Sequence, residues 1–195
     1  MQLLATILVS IALLTSASAQ FTGLNTSREY NIRTCLKPGQ PGKARFDNLW
    51  LDDYHTGAGL SDAVFFPTRT NVTAAGYLYP TNQTSAAGQK YYYQAFNLGN
   101  PFPWQLVMAF NTNFYAAWQP VRVNAGLGGG DTTGESSGFF LNSTGLQYGG
   151  AEGGFDGWLV CNWWHEMPQL FFRITGYGDF TPLSCADVYL MPEYI

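Results

Sequence analysis

Apolar residues in this chain recur at every second position, and the three-to-four spacing of an amphipathic helix is hard to find. Across 29–36 the alternation places Tyr30, Ile32, Thr34 and Leu36 on one face and Glu29, Asn31, Arg33 and Cys35 on the other. Similar runs, alternating or dense in aromatic and β-branched residues, occupy 46–52, 63–66, 76–79, 90–97, 104–110, 117–124, 138–141, 157–164, 169–175 and 186–191. Glycine, proline, asparagine and serine separate them. Short strands at this spacing, with no helical segments between them, predict an all-β fold: one antiparallel sandwich or closed barrel of about 10–12 strands. The stretch 125–138 has almost nothing to bury and reads as a Gly-rich loop inserted within that domain.

The N-terminus follows a different pattern. Leu3 to Leu14 is almost wholly apolar and Ala17-Ser18-Ala19 is a small-residue exit, the order of a secretory signal peptide covering 1–19 and cut before Gln20. The apolar run is too short to span a bilayer, and no later segment is long enough to do so. The expectation is a secreted chain, 20–195, with no membrane partner. Only 11% of residues are charged while 16% are aromatic, so the surface is built from amides, hydroxyls and glycine. A net charge of −4, without a basic stripe, argues against nucleic acid as a partner.

Four N-x-S/T sequons, at Asn25, Asn71, Asn82 and Asn142, fit export, and each lies in or beside a polar stretch where a glycan would face water. Three cysteines permit three pairings. Cys161 to Cys185 closes the shortest loop and staples the last apolar run to its neighbour, whereas Cys35 falls on the polar face of its strand. A Cys161–Cys185 disulfide is therefore expected, in a structural role.

Several constellations compete as sites. Gly134-Glu135-Ser136-Ser137-Gly138 matches the G-x-S-x-G nucleophile pattern, with Asp156 and His165 following in triad order. Its context is wrong, because a Gly-rich loop precedes the serine and an apolar run follows, where a strand and a helix are needed. His55 and His165 with a carboxylate from Asp52, Asp53 or Glu166 have the donor types for a metal, but a histidine at a strand end more often bonds a carbonyl or carboxylate. No metal and no cofactor is assigned. Asp52, Asp53, Asp62, Glu152, Asp156 and Glu166 offer the carboxylates of a glycoside hydrolase without showing any pairing. Six tryptophans and twelve tyrosines could supply flat surfaces for sugar rings, against the plainer reading that they pack the core. In 157–164 alternation puts Leu159, Cys161 and Trp163 on one face and Trp158, Val160, Asn162 and Trp164 on the other, so an exposed second face would align Trp158 with Trp164.

Taken together, Lys37-Pro38-Gly39-Gln40-Pro41-Gly42-Lys43, Tyr54-His55-Thr56-Gly57-Ala58-Gly59-Leu60-Ser61-Asp62-Ala63-Val64, Val123-Asn124-Ala125-Gly126 and Gly157-Trp158-Leu159-Val160-Cys161-Asn162-Trp163-Trp164-His165 resemble a family of small secreted ascomycete fungal proteins without an assigned function. A weaker similarity is to fungal cell-wall proteins of the phialide type, some of them IgE-binding. The first resemblance leads to no known chemistry; the second implies an extracellular or wall-associated role without catalysis. The expectation is a secreted glycoprotein that binds cell-wall polysaccharide or a host surface through His55, Asp62, Trp158, Trp164 and His165. The alternatives are a small polysaccharide hydrolase using loop carboxylates, and a purely structural wall component.

Overall fold

The computed structural model describes residues 28–70, 73–112, 116–128, 134–150, 154–176 and 180–195. The expected leader 1–19, the sequons at Asn25 and Asn71, Glu152 and the middle of the Gly-rich stretch lie outside the described residues. Twelve strands follow one another: β1 Tyr30–Leu36, β2 Trp50–Gly57, β3 Leu60–Phe66, β4 Ala75–Thr84, β5 Lys90–Asn97, β6 Trp104–Met108, β7 Trp118–Ala125, β8 Ser137–Asn142, β9 Gly145–Tyr148, β10 Trp158–Asn162, β11 Pro168–Arg173 and β12 Cys185–Tyr194. Every pairing among them is antiparallel.

The sheet closes on itself as a nine-strand barrel with additional strands. One circuit runs β1-β4-β5-β6-β7-β3-β11-β10-β12 and returns to β1. The β2 strand bridges β1 and β3, and β8 and β9 extend outward from β5. Closure removes exposed strand edges from most of the fold, which matters for a chain with few charges to keep edges apart.

Alternation predicts which residues fill the barrel. Tyr30 and Ile32 of β1 are 2% and 1% exposed, and they join Leu51, Phe65, Phe96, Leu106, Val121 and Phe172 in one interior cluster. Burial pushes the Tyr30 hydroxyl well above the ordinary tyrosine range, so it stays protonated and donates to Gln94 Oε1 at 2.6 Å. Gly76 lies opposite Tyr30, and a Cβ there would come within 3.3 Å of both the Tyr30 carbonyl oxygen and its ring, so glycine eases the approach of β4 to β1.

A second cluster lies on the outer face, where Leu159, Cys161, Phe171 and Cys185 are buried with Trp118 against them. The expected Cys161–Cys185 bond is present, joining directly opposed residues of β10 and β12. Cys35 is free and exposed on the polar face. Asn31, expected on that same solvent face, is instead 3% exposed, because the segment before β4 folds over it and its side-chain amide donates to Ala74 O at 3.0 Å.

The differences from expectation are local. Phe46 does not begin a strand; it ends a 3₁₀ turn, Ala44–Phe46, and plugs the core, and β2 starts only after Asn48 has taken a φ of 58°. Residues 53–62, which carry no clean alternation, are a hairpin turned by Ala58 and Gly59, the latter at φ +73°. The short β9 pairs with β8 through a two-residue connection, Ser143-Thr144. The run 157–164 is extended only as far as Asn162, after which the chain turns through Glu166 at φ 57°.

The disulfide spans a sequence separation of 24. Replacing both cysteines with serine is expected to lower the unfolding free energy by about 3 kcal/mol, read from urea unfolding with the slope fitted separately for each protein.

Candidate functional site

Three strands meet at a fork. Along one edge β7 pairs with β11 through Trp118, Gln119 and Pro120, then with β3 through Arg122, Val123 and Asn124. A further bridge, Gln169 to Val64, joins β11 to β3. On its other edge β7 loses its ladder to β6 at the same point: Pro120 O accepts from Ala109 N at 3.1 Å, but Pro120 has no N–H to return. The outer face at this fork carries Asp62 and Arg122 as direct register partners, with Tyr54 of β2 opposite Asp62.

The turn between β10 and β11 folds over that face. His165 Nε2 meets Asp62 Oδ2 at 3.1 Å, and the His165 ring stacks on Tyr54 with centroids 4.0 Å apart and planes 21° apart. Imidazole and carboxylate are mostly covered, at 15% and 21% side-chain exposure. Trp164 stands edge-on to His165 at 6.3 Å and is 78% exposed, while Trp163 packs edge-on to Phe171 at 5.6 Å and is 51% exposed. The clamp from Asp62 and Tyr54 thus fixes the base of a turn whose two indoles face water. On β11, opposite Cys161, Gln169 is 4% exposed and its side-chain oxygen has no hydrogen-bond partner among the described residues.

Of the expected site residues, Asp62, His165 and Trp164 come together here. Trp158 does not: it is 1% exposed inside the barrel, where its indole N–H donates to Leu146 O at 2.6 Å. The continuous face expected for Trp158 and Trp164 fails because β10 is buried on both sides and the chain leaves the strand before Trp164. His55 pairs with Ser61 and falls on the opposite face of β2 from Tyr54, so the two histidines are not joined. Among the described residues no group of three or more His, Cys, Asp or Glu could hold a metal ion. The serine motif has no elbow, since Glu135 bridges to Met108, β8 starts at Ser137, and the carboxylate on His165 is Asp62, not Asp156.

Tyr54 was missing from the expected set. The signal for it was present: Tyr54 and Asp52 share a face by alternation, and Asp62 lies opposite Tyr54 once the hairpin turn is placed at Ala58-Gly59. Asp52, half-buried on that face, is the one carboxyl among the described residues with a clear displacement, pushed up to about 6 chiefly by burial. The backbone N–H groups of Asp53 and Ala74 partly oppose the shift, and the Asp53 charge adds to it. A folded value above the unfolded 3.8 means that the native state holds the proton more tightly, so Asp52 costs stability as pH rises through that window. Asp52→Asn is expected to leave stability unchanged near pH 3 and to raise it by about 1 kcal/mol at pH 8, after discounting for the solvent that reaches the group. Urea unfolding at the two pH values checks both the sign and the window.

A model of one protein family, described as a domain of unknown function (DUF7907), matches residues 27–194. No curated protein and no solved structure matches the chain.

Proposed function

We propose a function from the geometry, because the chain belongs to the family of DUF7907 domains and that family's description assigns none. The protein is a secreted, cell-wall-associated glycoprotein that binds neutral polysaccharide, without turnover, through Tyr54, Trp163 and Trp164. The observation that carries this reading is the pair of exposed indoles on a turn whose base is clamped by the Asp62–His165–Tyr54 stack. Flat, outward aromatic rings suit the apolar faces of sugar rings, and a surface of amides and hydroxyls suits their edges. A turn already held in place loses little freedom when a ligand arrives, which favours binding by a small contact area. The signal-peptide pattern and the disulfide are compatible with an oxidising, extracellular setting.

The hydrolase alternative is favoured by one observation. Asp52 and Asp62 share the outer face two rungs apart, and Asp52 holds its proton to about pH 6, as a general acid would. Against it, the Asp52 carboxylate is engaged by the backbone N–H groups of Asp53 and Ala74.

Retention on insoluble wall glucan and chitin, with reducing sugar measured in the supernatant, separates the readings. Trp164→Ala is expected to weaken retention about tenfold, near 1.4 kcal/mol, with no change in Tm, since that side chain is 78% exposed. Sugar release that disappears in Asp52→Asn would favour the hydrolase. Neither retention nor release by the parent protein would sink both.

A further inference from the structure

A cleft of about 590 Å³ lies between the β4–β5 hairpin and the β8–β9 pair, lined by Asn82, Thr84, Tyr91, Glu135, Ser137 and Gly150 among others. We propose that this cleft seats the first N-acetylglucosamine rings of a glycan carried by Asn82 itself. The inference rests on the secreted, glycosylated reading above, and it adds a place for one particular glycan and a structural task for it.

Four features point to this occupant. All three residues of the sequon Asn82-Gln83-Thr84 line the cleft, and Asn82 is exposed. The β4–β5 register slips between Pro80 and Thr84, so the sequon sits in an irregular part of the strand that an enzyme can reach. Across the hairpin, Tyr91 is half-buried, its ring set against Phe140 at 6.2 Å, and its carbonyl accepts from Thr81 Oγ1 at 2.6 Å. That anchors an aromatic ring beside Asn82, the surface on which a pyranose stacks. Finally, the inner end of the cleft is closed by aromatic hydroxyls packed on glycine: a Cβ on Gly149 would meet the Tyr91 hydroxyl at 2.7 Å, and one on Gly150 would collide with the Tyr148 hydroxyl, so glycine there holds both rings at the cleft. Glu135, which accepts from that Tyr148 hydroxyl, and Ser137 supply polar groups for an acetamido group and ring hydroxyls. The volume falls within the usual ~300–1,000 Å³ of small-molecule sites.

The chemistry of attachment is the ordinary transfer from a lipid-linked diphospho-oligosaccharide. The Asn82 side-chain nitrogen forms a bond to the sugar C1, the bond from C1 to the diphosphate oxygen breaks, and the amide proton passes to the transferase base. Asn142 provides an internal control. It is exposed at the end of β8, beside the two-residue turn, and its Oδ1 accepts from both the Thr144 amide and the Thr144 hydroxyl at 2.8 Å.

The test uses the full chain secreted from a eukaryotic host, with occupancy at each sequon read by glycopeptide mass spectrometry. An endoglycosidase that cuts between the two core N-acetylglucosamines is then applied to native and to unfolded protein. The Asn82 glycan is expected to be cut at least about tenfold more slowly than the Asn142 glycan in the native protein, and equally fast after unfolding. Tyr91→Ala should remove that protection. Asn82→Gln should lower Tm while Asn142→Gln leaves it unchanged. Occupied Asn142 with bare Asn82, or equal native cleavage at the two sites, would overturn this inference and leave the secreted reading standing. No occupancy at any sequon in secreted protein would remove the glycoprotein reading and this inference together.

Discussion

Antiparallel pairing around a ring of nine strands cannot be satisfied by straight strands, because directions that alternate around a closed circuit require an even count. The fold meets this constraint at one place. The strands β3, β7 and β11 are each paired antiparallel with the other two, through short and separate stretches of each strand. Three straight strands cannot do that, so they bend apart, and the outer face opens where β7 changes partner between Pro120 and Arg122. Long ladders can then form elsewhere, β1 with β12 over seven consecutive rungs and β6 with β7 over five. These ladders and the junction of β3, β7 and β11 have the same cause.

That junction explains why polar groups collect there. A fork breaks the apolar outer surface that β10, β11 and β12 share around the disulfide, and the side chains beside the break are Asp62, Arg122 and Gln169. A largely covered carboxylate gains from a partner, and the β10–β11 turn brings His165 back over the sheet to supply one. The cost of turning the chain abruptly falls on Glu166, which takes a positive φ, and the gain is a rigid mount for two indoles that would otherwise swing freely. On this view Trp163 and Trp164 are exposed because the turn closes the fork.

The barrel was legible in the chain because most of its strands are half-buried or fully buried and so carry alternation or apolar runs. The strand 90–97 is bounded in the fold as its pattern predicts, and β1 differs by one residue. The tip of the β2–β3 hairpin was not legible. Its residues Tyr54, His55 and Leu60 are exposed, so neither face imposes a pattern, and Asp52-Asp53 resembles a turn. The β9 strand was hidden by its length of four residues between glycines, although a two-residue connection after Asn142 is a hairpin signal. For the site, the residue types at the loops after Tyr54 and Trp164 were informative, and the pairing of Asp62 with His165 was not, because 103 residues separate them. Trp158 misled for a physical reason: alternation assigns faces but cannot say that both are covered, and in β10 both are.

Low charge links the aromatic turn to the cleft. With 11% charged residues, this surface has little electrostatic repulsion to keep copies apart, and exposed apolar side chains such as Trp164, Phe180 and Leu183 add to its tendency to associate. A protein made this way needs some other solvating layer, and sugar is the one its sequons offer. A glycan resting on Tyr91 would cover an aromatic ring as well as hydrate the surface around it, whereas the turn at Trp163 and Trp164 carries no sequon of its own and is left bare. Bare aromatic surface persisting on a chain that has the means to cover such surface elsewhere is better explained by a partner for those rings than by incomplete burial.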